Sequence, residues 1–212
     1  EQVDVKSLVA ARVRVLSARY ASGAWSETGA LDLETVSTNV SAPIVVSRGA
    51  GEAFAAWIQS DGATSRVYAA VFVNGGWGTA APVDQVVAPE QVLTIALASP
   101  GGGEAHLIWS QGTTGGAQGV VAARYAGGMW GGPQALDTTT EGTYPQIDSG
   151  AAGSAYAVWL HLDSDAVRRV HASRLADGTW SASQAIDPGV NSVATTPVVA
   201  SPAAGQAFAA KA

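Results

Sequence analysis

Cysteine is absent from the 212 residues, which rules out disulfides, thiolate metal sites and a cysteine nucleophile. Charge is scarce at 13% of residues, and the balance is acidic, with a formal net charge of −6. An acidic chain with eleven scattered Lys and Arg lacks the basic stripe that nucleic-acid binding requires. No apolar run reaches the length of a membrane-spanning helix, so no membrane span is expected. The three histidines, His106, His161 and His171, show no metal-ligand spacing, and neither a metal nor any other cofactor is expected. No serine–histidine–acid or paired-carboxylate constellation stands out, so the chain reads as a non-enzyme.

What is present is repetition. Val121–Asp137, VAARYAGGMWGGPQALD, recurs as LSARYASGAWSETGALD (Leu16–Asp32), YAAVFVNGGWGTAAPVD (Tyr68–Asp84) and HASRLADGTWSASQAID (His171–Asp187). A self-similar period near fifty residues, built of short apolar stretches, marks a propeller or solenoid. A second element lies between these copies. Pro43-IVVSRGAGEAFAAW, Ile95-ALASPGGGEAHLIW, Pro145-QIDSGAAGSAYAVW and Pro197-VVASPAAGQAFAAK each read as strand, glycine turn, strand. Glycine supplies positive φ in such turns, and proline at a strand start costs no ladder bond.

Each unit therefore predicts four strands: Pro43–Ser47, Glu52–Gln59, Arg66–Val73 and Gly76–Val83 in the first. The second strands (AFAAW, AHLIW, AYAVW, AFAA) are apolar at consecutive positions, which predicts burial on both faces. The expected fold is an all-β, single-domain β-propeller of four-stranded antiparallel blades spanning residues 1–212. Its units are 43–84, 94–137, 145–187 and a composite of 12–32 with 197–212. The composite arises because the chain opens on third and fourth strands, Arg12–Tyr20 onward, and closes on a first and second. Joining them makes four blades with one shared between the two ends. The alternative is that the chain is a piece of a longer propeller, or that two copies complete a larger ring. Glu1–Ala11 matches the repeat poorly.

The combination GxAxAxW followed by VxAxRYxxGxW resembles the tandem repeats of exported bacterial β-propeller proteins, most without an assigned activity. The likeness runs from about Val15 to Ala210 and implies the propeller fold and an extracellular or periplasmic location. The chain departs from it at Val71, where the other copies have Arg19, Arg124 and Arg174, and at Lys211, where they have tryptophan.

Function is less legible. Asp32, Asp84, Asp137 and Asp187 each follow a GxW tryptophan by seven residues. Because all four copies have it, the aspartate reads as a turn residue accepting backbone N–H bonds rather than as part of a cation site. A sialidase-like hydrolase would need its arginines gathered on one carboxylate, whereas repeat-equivalent arginines are spread around a ring and are expected to pair with carboxylates between blades. Gln59, Gln111 and His161 each lie two residues after Trp57, Trp109 and Trp159, on the same strand face. An aromatic beside an amide or imidazole is the usual equipment for holding a sugar ring, and these six residues are the candidate ligand-binding set. Asp163 and Asp165 beside His161 hint at a calcium loop. The reading is a recognition module, for multivalent glycan binding or as a structural, protein-interacting subunit of an envelope or extracellular assembly. Its partner is a carbohydrate or a protein, and self-association is compatible with it.

Overall fold

The computed structural model describes residues 13–33, 39–49, 51–60, 62–86, 90–113, 116, 118–137, 142–165, 167–187 and 196–211. Among them the chain is all β, with no helix. No helix is long and apolar enough to cross a membrane. Residues 1–12, including the expected start of the first strand, lie outside the described residues.

Three antiparallel sheets carry the repeat. The first runs Asn39–Gly49, Glu52–Ser60, Ser65–Val73, with an outer strand in two pieces, Gly76–Trp77 and Ala81–Pro82. The second runs Gln91–Ala98, Ala105–Gly112, Gln118–Ala126, then Met129–Trp130 and Gln134–Asp137. The third runs Thr143–Ala151, Ser154–Leu162, Arg168–Ala176, then Thr179–Trp180 and Gln184–Ala185.

Four strands per unit is therefore the observed pattern, with two differences from expectation. The outer strand is broken after its tryptophan, where the N–H of Gly78, Gly131 and Ser181 donates back to Val71, Arg124 and Arg174 O, each at 2.8 Å. The inner strands also begin earlier than predicted. Pro43 and Pro145 sit inside a strand at register shifts, preceded by Ala42 and Tyr144 at φ 52°, so each proline occupies a bulge rather than a strand start.

Turn chemistry explains the hairpins between third and outer strands. Their central pairs, Ser22-Gly23, Asn74-Gly75, Gly127-Gly128 and Asp177-Gly178, all have positive φ, the primed turn that matches strand twist. In the inner hairpins a serine does the equivalent work. Ser47, Ser99, Ser149 and Ser201 each donate Oγ–H across the turn to the carbonyl of residue 52, 104, 154 or 206.

The second strands of the three full sheets are buried on both faces, as their unbroken apolarity predicts, whereas the fourth, Gln206–Ala210, is exposed throughout and departs from that expectation because no further sheet covers it among the described residues. From Glu52–Ser60, Ala55 and Trp57 turn to the N-terminal segment, while Phe54, Ala56 and Ile58 turn to the second sheet. Ala105, Leu107 and Trp109 face back to the first sheet, and Ile108 faces the third. Ala155, Ala157 and Trp159 face the second sheet, and Val158 and Leu160 pack toward Val199. Backbone ties cross the same junctions: Gly103 N–H donates to Glu52 Oε2 (2.7 Å), and Gly153 N–H to Glu104 Oε1 and Oε2 (3.0 Å).

The two ends are half-sheets. Leu16–Ser17 pairs with Gly29–Ala30, and Tyr20–Ala21 with Ala24–Trp25. Val198–Ala203 pairs with Gln206–Ala210. They stand as separate two-stranded sheets, and among the described strands no pairing joins one to the other.

Candidate functional site

The six expected binding residues do not form the expected surface. Trp57, Trp109 and Trp159 are each 0% exposed, enclosed between sheets, so no indole face is open to stack on a sugar. The correction follows from the fold: a residue on a strand flanked by two sheets has no solvent side. The residue two positions on is instead the partner of the indole N–H. Trp57 Nε1 donates to Gln59 Oε1 (3.0 Å), and Trp109 Nε1 to Gln111 Oε1 (2.7 Å). Gln59 is itself buried and donates to Leu33 O (2.9 Å).

The third sheet breaks this pattern. A histidine stands where the other two have glutamine, and the indole acceptor becomes Asp137 from the preceding sheet. Asp137 Oδ2 accepts from Trp159 Nε1 (2.8 Å) and from His161 Nδ1 (2.6 Å). Strand register then adds a second imidazole. Trp159 pairs with His171 and His161 with Arg169, so His161 and His171 are diagonal neighbours on one face, ring centroids 4.4 Å apart. Asp163, just past the second strand, turns Oδ1 toward both: 3.1 Å from His171 Nε2 and 3.4 Å from His161 Nε2.

The surroundings hold these groups in place. Ser183 Oγ lies 2.8 Å from His171 Nδ1. Arg169 donates to Asp163 Oδ2 (2.5 Å) and clasps both oxygens of Asp165 (2.8 and 2.7 Å). Its hydrogen bonds hold the Asp165 carboxyl down at about 2. Burial pushes the His171 imidazole below its usual range, the neighbouring His161 pushes the same way, and Asp163 opposes both. The side chains of His161, Asp163 and His171 are 12%, 22% and 13% exposed, so a small solute can reach them. The sequence shows Asp163 beside His161 but conceals His171, ten residues from His161 and brought to it only by strand pairing.

The repeated aspartates and arginines are placed differently. Val15, Val67 and Val170 N–H donate to Asp32, Asp84 and Asp187, so the aspartate ties the end of a unit to the start of its own third strand. Arg14 and Arg66 add ion pairs to Asp32 (2.7 Å) and Asp84 (3.0 Å). Of the repeat arginines, Arg124 pairs with Glu104 (2.9 Å), but Arg19 and Arg174 lie over the rings of Phe72 and Tyr156. Two of the three thus stack on aromatics instead of pairing with carboxylates, and the three do not converge on one point.

A groove of about 500 Å³ runs between the N-terminal half-sheet and the outer edge of the first sheet. Its walls include Arg19, Trp25, Glu27, Phe72 and Trp77, with Trp25 69% exposed.

No family model and no curated protein matches the sequence. Solved structures do match in fold. A protein of unknown function from Dyadobacter fermentans superposes with a TM-score of 0.57 at 11% identity, over 87% of this chain and 55% of that one. A variant of NanB sialidase from Streptococcus pneumoniae aligns at TM-score 0.46 and 12% identity, over 84% of this chain and 29% of that one. Penicillium chrysogenum α-L-arabinanase complexed with arabinobiose aligns at 0.41 and 12%, over 80% and 65%. The chain spans about half the length of the Dyadobacter protein. At 11% identity the likeness to the Dyadobacter protein is one of fold alone, and the described residues of this chain are all β.

Proposed function

We propose that this chain is a non-enzymatic assembly and recognition module of the propeller type, whose two half-sheets combine between copies into one composite blade. One observation carries the reading. Val45, Leu97 and Ile147 hold the same place in the inner strand of each unit, facing the preceding one. Leu97 and Ile147 are 7% and 8% exposed, whereas Val45 is 64% exposed. The N-terminal half-sheet in front of Val45 has third and outer strands but lacks an inner hairpin. The C-terminal half-sheet is such a hairpin, exposed along all of Gln206–Ala210, with Phe208 69% exposed.

Register makes the fit specific. Trp57, Ala55 and Phe54 pair with Tyr68, Ala70 and Val71. The same register sets Lys211, Ala209 and Phe208 against Leu16, Ala18 and Arg19. Phe208 would then cover Val45 as Phe54 covers the second sheet, and two open strand edges would be closed at once. The occupant is a second copy because, among the described strands of one copy, neither edge is paired. The repeat arginines Arg19, Arg124 and Arg174, which a sialidase-like hydrolase would need to gather on one carboxylate, do not converge on one point.

Because the chain has no cysteine, engineered thiols report cleanly. Ala18→Cys and Ala209→Cys variants, prepared separately, mixed and oxidised, should give a disulfide-linked pair of chains. A double variant that closes on itself as a monomer would replace assembly by a ring of four blades within one chain. No cross-link in either format rejects the composite blade. The exposed Trp25 beside Arg19 and Glu27 favours carbohydrate as a second reading. Saturable glycan-array binding that Trp25→Ala abolishes would establish it.

A further inference from the structure

We propose that His161, His171 and Asp163 form a binding site for one divalent transition-metal ion of the zinc class. The three ligand atoms all lie within 4.8 Å of one another. The two nitrogen-to-oxygen separations, 3.4 and 3.1 Å, are close to the spacing of ligand atoms around tetrahedral zinc, roughly 3.4 Å for bonds near 2.1 Å.

The hydrogen bonds around the trio select the ligand atoms. An ionised carboxylate only accepts, so against Asp137 His161 Nδ1 carries the shared proton, which leaves Nε2 unprotonated 3.4 Å from Asp163 Oδ1. Two electron-rich atoms facing each other repel, and a cation between them removes the conflict. His171 offers Nε2 in the same direction while Ser183 occupies its Nδ1. A metal-bound imidazole ordinarily gives its other N–H to a carboxylate or hydroxyl in this way, which fixes the ring and raises its basicity. Arg169 performs two opposing services: it pins Asp163 Oδ2 so that Oδ1 points inward, and its charge weakens cation binding.

The donor set chooses the ion. Two imidazoles and one carboxylate suit zinc, cobalt, nickel or copper, whereas calcium takes oxygen ligands almost exclusively. Asp165 is clasped by Arg169 and does not complete a calcium loop. Three protein ligands leave a fourth position for water or an incoming group. The site also falls in the sheet that departs from the repeat: its counterparts are Gln59 and Gln111 for His161, and Tyr68 and Val121 for His171. These counterparts supply substitutions that the fold already accommodates.

The test titrates chelator-treated full-length chain with cobalt(II) chloride, reading visible d–d absorption, and with zinc(II) chloride by calorimetry. Wild type should bind one ion per chain, with the intense absorption of a tetrahedral centre. His161→Gln and His171→Val should each weaken binding by about a hundredfold, and Asp137→Asn, a positioning change, by about tenfold. Melting temperatures confirm that each variant is folded. Absence of saturable binding to wild type at micromolar metal overturns the proposal. So does binding that survives in the folded His161→Gln/His171→Val double variant.

Discussion

The junction between the first and second sheets is dry, and the junction between the second and third is not. At the first, Glu52–Ser60 presents Phe54, Ala56 and Ile58 to Ile95, Leu97, Leu107 and Trp109, with Tyr125 edge-on to Phe54. At the second, the matching positions of the next strand are His106, Ile108 and Ser110. Ile108 meets Ile147, Ala155, Ala157 and Trp159, while His106 lies against Glu104 and Ser110 against Thr94. Glu104, His106 and Asp137 are all buried there. The second and third strands pair in the same register in each sheet, yet one interface relies on aliphatic volume and the other on alanines and bonded carboxylates. The repeat thus prescribes where a side chain points while leaving its chemistry open. Polar residues accumulate where a preceding carboxylate can reach across.

Truncation should break the dry junction most severely. Leu107 is fully buried in it, and Leu107→Ala should cost about 3 kcal/mol through lost transfer energy and the cavity left behind. Urea denaturation measures this. The second junction has one equally buried aliphatic in Ile108, but Ala155 and Ala157 leave little to truncate, and its buried charges give it a further sensitivity.

That sensitivity is acid. His106 is 1% exposed, and burial drops its imidazole to about 4, with the nearby Glu104 charge opposing and Arg124 reinforcing the drop. Burial alone would raise Glu104, but the Arg124 hydrogen bond, the Gly153 N–H and the charges of His106 and Arg124 bring it below its usual value. A histidine depressed in the folded state takes up its proton more readily when unfolded. Its stabilising contribution is therefore complete above pH 6.5 and is lost as the pH falls from there to about 4. The slope should approach about 1.4 kcal/mol per pH unit for that single proton. His106→Phe, which copies Phe54, should flatten the stability curve between pH 6.5 and 4. An unchanged slope would place the titrating group elsewhere.

Much of this architecture can be read from the chain. The GxW copies, glycine turns and doubly apolar second strands foretell the sheets because each is a local demand repeated in sequence. The site was less visible. Trp57, Trp109 and Trp159 look like stacking platforms in sequence, and only their place between two sheets shows that they are interior. His161 and His171 come together through cross-strand register, and Asp137 arrives from another unit, neither of which spacing along the chain reveals. The prolines misled on strand starts because Pro43 and Pro145 are accommodated by bulges. The aspartates were recognisable as structural, although their N–H partners lie on the third strand rather than in the turn.

The smallest expected effect separates the junctions most finely. Glu52 and Glu104 are repeat equivalents, and each accepts the N–H of a glycine in the next inner hairpin. Glu52 makes that tie with Oε2, while its buried Oε1 has no hydrogen-bond partner among the described residues, so desolvation offsets much of the gain. Glu104 also holds Arg124 and lies 2.9 Å from His106 Nε2. At the third position, Ser154, the tie passes to Asp148, whose Oδ2 accepts from Ser201 N–H at 2.7 Å. A serine there is evidently compatible with the hairpin. Glu52→Ser should therefore cost about 1 kcal/mol or less, the worth of one ordinary hydrogen bond. A chain of this size should show that as a melting shift of roughly 2–4 °C. Glu104→Ser removes the glycine tie and the Arg124 pair together and should shift melting further. Equal shifts for the two variants would mean that the carboxylates of the second junction add nothing beyond their backbone bond, and the contrast between a dry and a polar junction would fail.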